Sequence, residues 1–244
     1  GLTYPNAWLR RPLGMTPKDF VGYVALLSLL MAVIAVIERI VPLKARSNTT
    51  RAPVNLSLSL LTLALNWFLM TATAVIALPE RGFAARLPLP LAIAVSVVAL
   101  DFFTYAAHWS MHRVPFLWRF HRVHHSDTFV DVTTTLRQHP VEGLWRYLWI
   151  LAGILLFGLP AAGVVVYRLV SVLNALFEHA NIHVPLKLDR LFSAIWVTPN
   201  VHKVHHSRDV SDTDSNYGNI FSVYDRLFGT FTGSDRAREV SYGL

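Results

Sequence analysis

The chain of 244 residues contains no cysteine. That absence excludes disulfide bonds, thiolate-ligated metals, iron–sulfur clusters and cysteine nucleophiles. Charged side chains are also scarce, at 15% of the residues against about 25% in an average soluble domain. Apolar residues make up 53% of the chain, and the mean hydropathy is +0.41. This composition is typical of a membrane protein.

Three long apolar segments have the length that a membrane-spanning helix needs. A bilayer core about 30 Å thick requires roughly 20 mainly apolar helical residues, and the segments cover residues 20–41, 56–78 and 87–107. A fourth apolar stretch is interrupted by Gly158-Leu159-Pro160, and proline cannot continue a helix. It is predicted to form a hairpin of two helices, 144–157 and 160–178, that enter and leave on the same side.

The fold class that follows is an all-α integral membrane protein, with about three full transmembrane helices and the proline-broken hairpin. A helical, histidine-rich metal-binding region is expected to cap this bundle in the cytosol. The loop after the first span is basic, as is the C-terminal part of the chain. Because positive loops stay in the cytosol, the histidines and the C-terminus are expected there, at a bacterial inner membrane or the endoplasmic reticulum. The net charge of +7 is interpreted as a surface facing anionic lipid, and no nucleic-acid partner is expected.

All eleven histidines lie between His108 and His206. Ten of them form two pairs spaced i, i+4 and two triplets of the pattern HxxHH, in the similar hexapeptides HRVHHS and HKVHHS. Residues i, i+3 and i+4 share a helix face, so each set can direct two imidazoles to one point. Ten imidazoles exceed the ligands of one metal and suit two. The candidate ligands are His108, His112, His121, His124, His125, His179, His183, His202, His205 and His206.

The series HxxxH, HxxHH, HxxxH, HxxHH, followed by TDSNYG and DRLFGT, resembles the fatty acid hydroxylase/sterol desaturase superfamily over roughly residues 90–232. The resemblance implies one membrane-embedded domain over 1–244, with N-terminal spans in 1–86 and a catalytic histidine region in 87–232. It implies that the ten histidines bind two irons, which zinc can replace in a purified sample, and that molecular oxygen is the co-substrate. Electrons would come from a separate protein, cytochrome b5-like or a ferredoxin with its reductase, because no fused cytochrome b5-like segment is visible.

Several neighbours are candidates for orienting these imidazoles. Asp101 and Tyr105 share a helix face with His108 and His112. Asp101 either supports an imidazole indirectly or binds another helix.

Further candidates lie close to the other histidines. Asp127 and Asp209 follow the two triplets, and each either orients an imidazole or caps a turn. His139, followed by proline and an acid, matches a family position outside the ligands and is expected to support the site or face the substrate. The remaining candidates are Asn174 and Glu178, on the approach to His179, and Asn216 and Tyr217, which resemble family positions near the site.

Hydroxylation of a C–H bond in a membrane lipid, such as a fatty acyl chain or a sterol, is the activity that the resemblance implies. Desaturation at the same site is the alternative. A di-zinc hydrolase would carry an acid within its motif, as in HExxH, and none lies between the paired histidines. A metal transporter or haem carrier would place its site at mid-membrane depth, and a structural metal protein would not need ten ligands. No catalytic group beyond the metal site is predicted.

Overall fold

The computed structural model describes residues 17–45, 51–76 and 82–244, and the regular secondary structure in these ranges is helical. Three short 3-10 turns cover Ala84–Arg86, Val132–Leu136 and Ser234–Arg236. The α-helices are α1 (Pro17–Ile40), α2 (Ala52–Ile76), α3 (Leu89–Arg113), α4 (Pro115–His125), α5 (Pro140–Phe157), α6 (Ala161–His179), α7 (Leu186–Phe192), α8 (Pro199–His205), α9 (Val210–Thr213) and α10 (Val223–Phe228).

Four of the described helices are long and apolar enough to cross a membrane: Lys18–Ile40, Leu89–Arg113, Pro140–Phe157 and Ala161–His179. The predicted all-α membrane fold is therefore confirmed. The second predicted span corresponds to α2, and its last two residues, 77 and 78, lie outside the described residues. The third span extends six residues beyond its predicted end at 107, because α3 continues to Arg113.

The predicted hairpin is present as α5 and α6. Gly158 ends α5 in a left-handed conformation, with φ of 59°, and its N–H donates to the Ile154 carbonyl. This is the geometry in which glycine ends helices most readily. Pro160 then caps the start of α6. The hairpin packs against α3. Gly163 of α6 lies so close to Ser96 of α3 that a side chain at position 163 would collide with Ser96.

Two short helices, α4 and α8, carry the two histidine triplets. Each begins with a proline in its first turn, Pro115 in α4 and Pro199 in α8, where the missing N–H costs no hydrogen bond. The Thr198 hydroxyl caps α8 by accepting from the Val201 N–H at 3.3 Å. Because α5 begins and α6 ends beside these helices, both clusters of histidines meet at one end of the bundle.

Candidate metal centre

Nine imidazoles form two groups, within each of which the candidate ligand nitrogens all lie within 4.8 Å of one another. The first histidine group is His108, His112, His121, His125 and His205. The second histidine group is His124, His179, His202 and His206.

Each triplet contributes to both groups, in opposite proportions. His121 and His125, spaced i, i+4, join the first group, while His124 turns to the second. In α8 the arrangement is reversed, because the i, i+4 pair His202 and His206 joins the second group and His205 joins the first. The two similar hexapeptides thus fix the two groups beside each other.

The Nε2 atoms converge within each group. In the first, His121 Nε2 lies 3.1 Å from His108 Nε2 and 3.2 Å from His125 Nε2. In the second, His179 Nε2 lies 3.0 Å from the Nε2 atoms of both His124 and His202. If two imidazole nitrogens bind one metal through bonds of about 2.1 Å that meet at a right angle, the two nitrogens lie about 3.0 Å apart. These separations therefore fit ligands around a shared metal ion.

Several ring nitrogens are buried without a hydrogen-bond partner among the described residues. They include His112 Nε2, His205 Nε2 and both ring nitrogens of His206. A buried polar atom without a partner is costly, and metal coordination removes that cost. The donor set therefore fits a metal ion in each group.

Burial keeps these imidazoles neutral, which is the form that binds metals. Desolvation lowers the pKa of His124 to about 3, and the Arg146 guanidinium lowers it further. Desolvation also holds the pKa of His205 and of His206 well below the usual value, with neighbouring imidazoles adding to the effect.

Backbone carbonyls accept hydrogen bonds from the Nδ1 atoms of four candidate ligands. His108 Nδ1 donates to the Tyr217 carbonyl at 2.9 Å, and His205 Nδ1 donates to the Ser215 carbonyl at 2.7 Å. The Nδ1 atoms of His124 and His179 donate to the carbonyls of Arg137 (3.1 Å) and Ala175 (2.7 Å). Since a carbonyl only accepts, each Nδ1 carries the proton and each Nε2 keeps a lone pair that could bind a metal.

Two carboxylates that no sequence motif pairs with a histidine face the first histidine group. His112 Nδ1 donates to Asp214 at 3.3 Å, which lowers the pKa of that carboxyl group. Glu142 Oε2 lies 3.1 Å from His121 Nδ1, an ion-pair distance, but the two atoms form no hydrogen bond. Asp214 belongs to the TDSNYG motif and Glu142 follows His139 by three residues, so both had a sequence signal without a named partner.

Comparison with known proteins decides the family. A family model described as fatty acid hydroxylase matches residues 93–230, more than half of the chain. The chain belongs to the fatty acid hydroxylase family. No solved structure matches it significantly.

Relatives of this fatty acid hydroxylase chain carry names that refer to several lipids. Alkylglycerol monooxygenase of Caenorhabditis elegans is 31% identical over 59% of this chain and 28% of its own length. Ornithine lipid hydroxylase OlsE of Rhizobium tropici is 28% identical over 71% of this chain and 53% of its own length. A cholesterol 25-hydroxylase-like protein of Danio rerio is 28% identical over 57% of this chain and 54% of its own length. The chain thus spans between about a quarter and about half of these relatives.

Among the acids predicted to orient imidazoles in this family member, three have other partners. Asp101 accepts from the backbone N–H groups of Ile220 (3.1 Å) and Phe221 (2.9 Å), so it binds the segment after α9 instead of supporting His108. Asp127 pairs with Arg51 and accepts from Asn55 and Thr134. Asp209 Oδ2 lies 3.6 Å from Arg236 Nη2. In this structure the contacts of the three acids are thus with groups other than the imidazoles.

Tyr105 and the motif residues near position 216 lie close to the first group. The Tyr105 hydroxyl forms a hydrogen bond of 2.9 Å with the Thr230 hydroxyl. The Tyr217 ring centroid lies 5.0 Å from that of His112, and its hydroxyl is buried without a described partner. Asn216 adopts a φ of 54° and bridges to the backbone of Val201 and Thr232, so it shapes the turn that presents Tyr217.

The candidates near the second group have mixed positions. Glu178 Oε1 lies 3.7 Å from His179 Nδ1 and 3.9 Å from His202 Nε2, and the Asn174 amide donates to the other Glu178 oxygen at 3.2 Å. These two residues therefore stand beside the group. His139 instead caps α5, where its Nδ1 accepts from the Val141 N–H at 3.2 Å.

His183 stands outside both groups. It is half-buried beside Leu43 and Arg238, and its Nδ1 has no described hydrogen-bond partner. The geometry therefore supports nine of the ten predicted ligands and gives no support for the tenth.

A buried lysine is a further residue that the sequence did not single out. Lys203, between the histidines of the second triplet, donates to the His179 carbonyl. Burial lowers its pKa to about 7, against the opposing effects of Glu38 and Asp131. It ties α8 to the end of α6, and an isolated lysine in a histidine motif carries no signal for such a role.

A cavity of about 470 Å³ lies inside the bundle between α1, α2, α3, α5 and α6. Thr135 and Ala175 line the end near the histidines, and the Ala175 carbonyl accepts from both Thr135 and His179. The opposite end is apolar, with Ala161 and Val164 of α6 in its wall. The cavity therefore runs along α6 toward the second histidine group.

Proposed function

We propose that this chain is an oxygen-dependent hydroxylase of a membrane lipid, with one iron bound in each histidine group. The observation that carries this proposal is the pair of buried groups of neutral imidazoles at one end of an apolar helix bundle. Membership of the fatty acid hydroxylase family supports it. The names of the relatives, which are monooxygenases and hydroxylases, favour hydroxylation over desaturation.

The protein's own part in the reaction is to bind, aim and exclude water. The nine imidazoles would hold the metals through nitrogen, and carbonyls and carboxylates behind them fix the ring orientations. Two reduced irons bound there would supply the activation of oxygen, so that one oxygen atom enters a C–H bond and two electrons and two protons reduce the other to water. Water would be largely excluded from the site, because His121, His124 and His205 are almost fully buried.

In the first histidine group, iron is favoured over zinc by the number of donors. A structural zinc site takes four ligands, and a catalytic one usually takes three from the protein and keeps a position open. The first histidine group offers five nitrogens. That number suits a metal that takes five or six ligands.

A lipid substrate is supported by the position and lining of the cavity. It lies within the apolar bundle, and side chains such as Leu155 and Leu156 on the outside of that bundle are more than half exposed, as lipid contacts require. A cavity of a few hundred cubic ångströms has the size of a small-molecule site. A lipid could therefore reach the metals without passing through water.

The histidine end is proposed to face the cytosol, because residues 38–55 and the part of the chain after His179 carry eleven of the 22 lysines and arginines, against five in residues 1–19 and 79–86. Electrons would then come from a separate cytosol-facing donor protein. The catalytic unit is proposed to coincide with residues 87–232, with the earlier spans anchoring it.

The test is incorporation of labelled oxygen. Membranes containing the chain, a reductant and a donor protein are given a total lipid extract under ¹⁸O₂, and lipids are analysed by mass spectrometry. We expect a lipid that gains one ¹⁸O atom with the wild type and not with His124→Ala. A new double bond without oxygen gain would contradict hydroxylation, and no change in any lipid, with both metals bound, would contradict the proposed function.

A further inference from the structure

The cavity has an unbalanced charge. Two arginines, Arg146 and Arg168, line it, and no aspartate or glutamate does among the described residues. A cation inside a membrane-spanning segment is costly, and where it occurs it commonly has a functional partner.

Arg146 has such a partner within the protein. Its Nη2 lies 3.0 Å from Glu142 Oε1, one turn away on α5, and Glu142 is fully buried. The other Glu142 oxygen faces His121. The charge of Arg146 is therefore compensated on the metal side of the cavity.

Arg168 has no such compensation. It lies in the middle third of α6, is half-buried, and neither donates a hydrogen bond to a described residue nor pairs with a described acid. The titratable groups close enough to act on it electrostatically are the phenols of Tyr167, Tyr23 and Tyr147. Phenols are neutral near pH 7, so none of them balances the guanidinium.

We propose that Arg168 binds an acidic group, carboxylate or phosphate, on the lipid that occupies the cavity. A planar guanidinium suits both, because it can donate two parallel hydrogen bonds to a pair of oxygens. This assignment deepens the proposed function, on which it rests for the statement that the bound lipid is the substrate.

The position of Arg168 also bears on where the lipid reacts. Arg168 precedes His179 by eleven residues on α6, which is about 16 Å of helical rise. To react at the histidines, a lipid held by its acid at Arg168 would have to extend along α6 toward them. The oxidised carbon is therefore expected to be remote from the acidic group.

Binding measurements on the purified, metal-loaded protein in detergent at pH 8 test the assignment. The probes are hexadecanoic acid, hexadecyl phosphate and hexadecanol, which share one chain length and differ in charge. We expect the wild type to bind at least one acidic probe about tenfold or more tightly than the alcohol. The tighter of the two acids identifies carboxylate or phosphate as the preferred group.

Three variants locate the source of this preference. Arg168→Gln should bind the acids and the alcohol alike, and Arg168→Lys, which keeps the charge, should retain part of the preference. Arg119→Gln removes an exposed arginine of α4 that does not line the cavity, and should behave as the wild type. Metal content near the wild-type value shows that a variant is folded. If Arg168→Gln does not fold, Arg168→Lys still tests the assignment.

Equal binding of acid and alcohol by the wild type would overturn the assignment, and so would an acid preference that survives in Arg168→Gln. Because these measurements need no turnover, they are separate from the proposed function. An acid preference without oxygen incorporation would contradict the hydroxylase alone, and oxygen incorporation without an acid preference would contradict the role of Arg168 alone.

Discussion

The two histidine groups differ, although nearly the same hexapeptide contributes to each. The first group has five imidazoles and the second has four. Two carboxylates, Asp214 and Glu142, stand behind the first. Behind the second, the hydrogen-bonded partners are the carbonyls of Arg137 and Ala175, and Glu178 lies 3.7 Å from His179 Nδ1.

This difference separates what local sequence decides from what tertiary structure decides. The i, i+3, i+4 spacing sets how many imidazoles of a triplet turn each way. The acids behind them come from other parts of the chain, the start of α5 and the turn after α9. A carboxylate beside Nδ1 makes the opposite nitrogen a stronger donor. The first group is therefore expected to hold its metal more tightly.

The largest effects are expected from removing one ligand from each group. His124→Ala leaves three imidazoles in the second group, and His205→Ala leaves four in the first. Both variants should lose turnover, but His124→Ala should lose about one metal per chain while His205→Ala keeps more of its metal. Elemental analysis and oxygen uptake measure this.

Membrane insertion should be unchanged in both ligand variants, because α4 and α8 lie outside the spans. Turnover surviving in either variant would refute the ligand assignment.

The carboxylates behind the first group should have the next largest effect. Glu142→Gln and Asp214→Asn should each lower metal affinity or activity by about 10- to 100-fold, the usual effect of a partner that orients a ligand. Metal titration of each purified variant gives the affinity. Asp209→Asn is the matched control, because Asp209 contacts Arg236 and no imidazole. An equal loss in the control would mean that any acid near the site has this effect.

Removing the metals gradually should reveal the asymmetry directly. With a competing chelator, the second group is expected to release its metal first. The chelator concentration that empties it should be about tenfold or more below the concentration that empties the first group. Spectroscopy during the titration should show two steps, and Glu142→Gln should bring them closer together. A single step, or release from the first group first, would contradict the predicted order.

The smallest effect is expected at His183. Since its ring lies outside both groups, His183→Ala should retain both metals and most of the activity. Metal content again gives the measurement. Loss of about one metal per chain would instead favour the ten-ligand set that the sequence motifs predict.

Much of the architecture could be predicted because it depends on local patterns. The apolar runs gave the spans, and Gly158 with Pro160 gave the hairpin, since both act through backbone geometry alone. The spacing of the histidines likewise indicated two shared points.

The partners of those histidines could not be predicted, because they arise where distant segments pack. Asp101 was open to two roles, and only the fold of residues 219–221 against α3 decides between them. The segment between α9 and α10, which contains residues 219–221, also brings Asp214 to His112, 102 positions away in the sequence. Arg168 could not be distinguished from a lipid-facing arginine until the cavity beside α6 was known.

The most direct test of the central claim is the metal bound by the protein purified in detergent from iron-replete cells. Elemental analysis gives the metal per chain, and Mössbauer spectroscopy with oxygen uptake after reduction gives its state. We predict about two irons per chain, magnetically coupled and reactive with oxygen. Two zinc ions that persist through iron loading, with no oxygen uptake, would contradict the account.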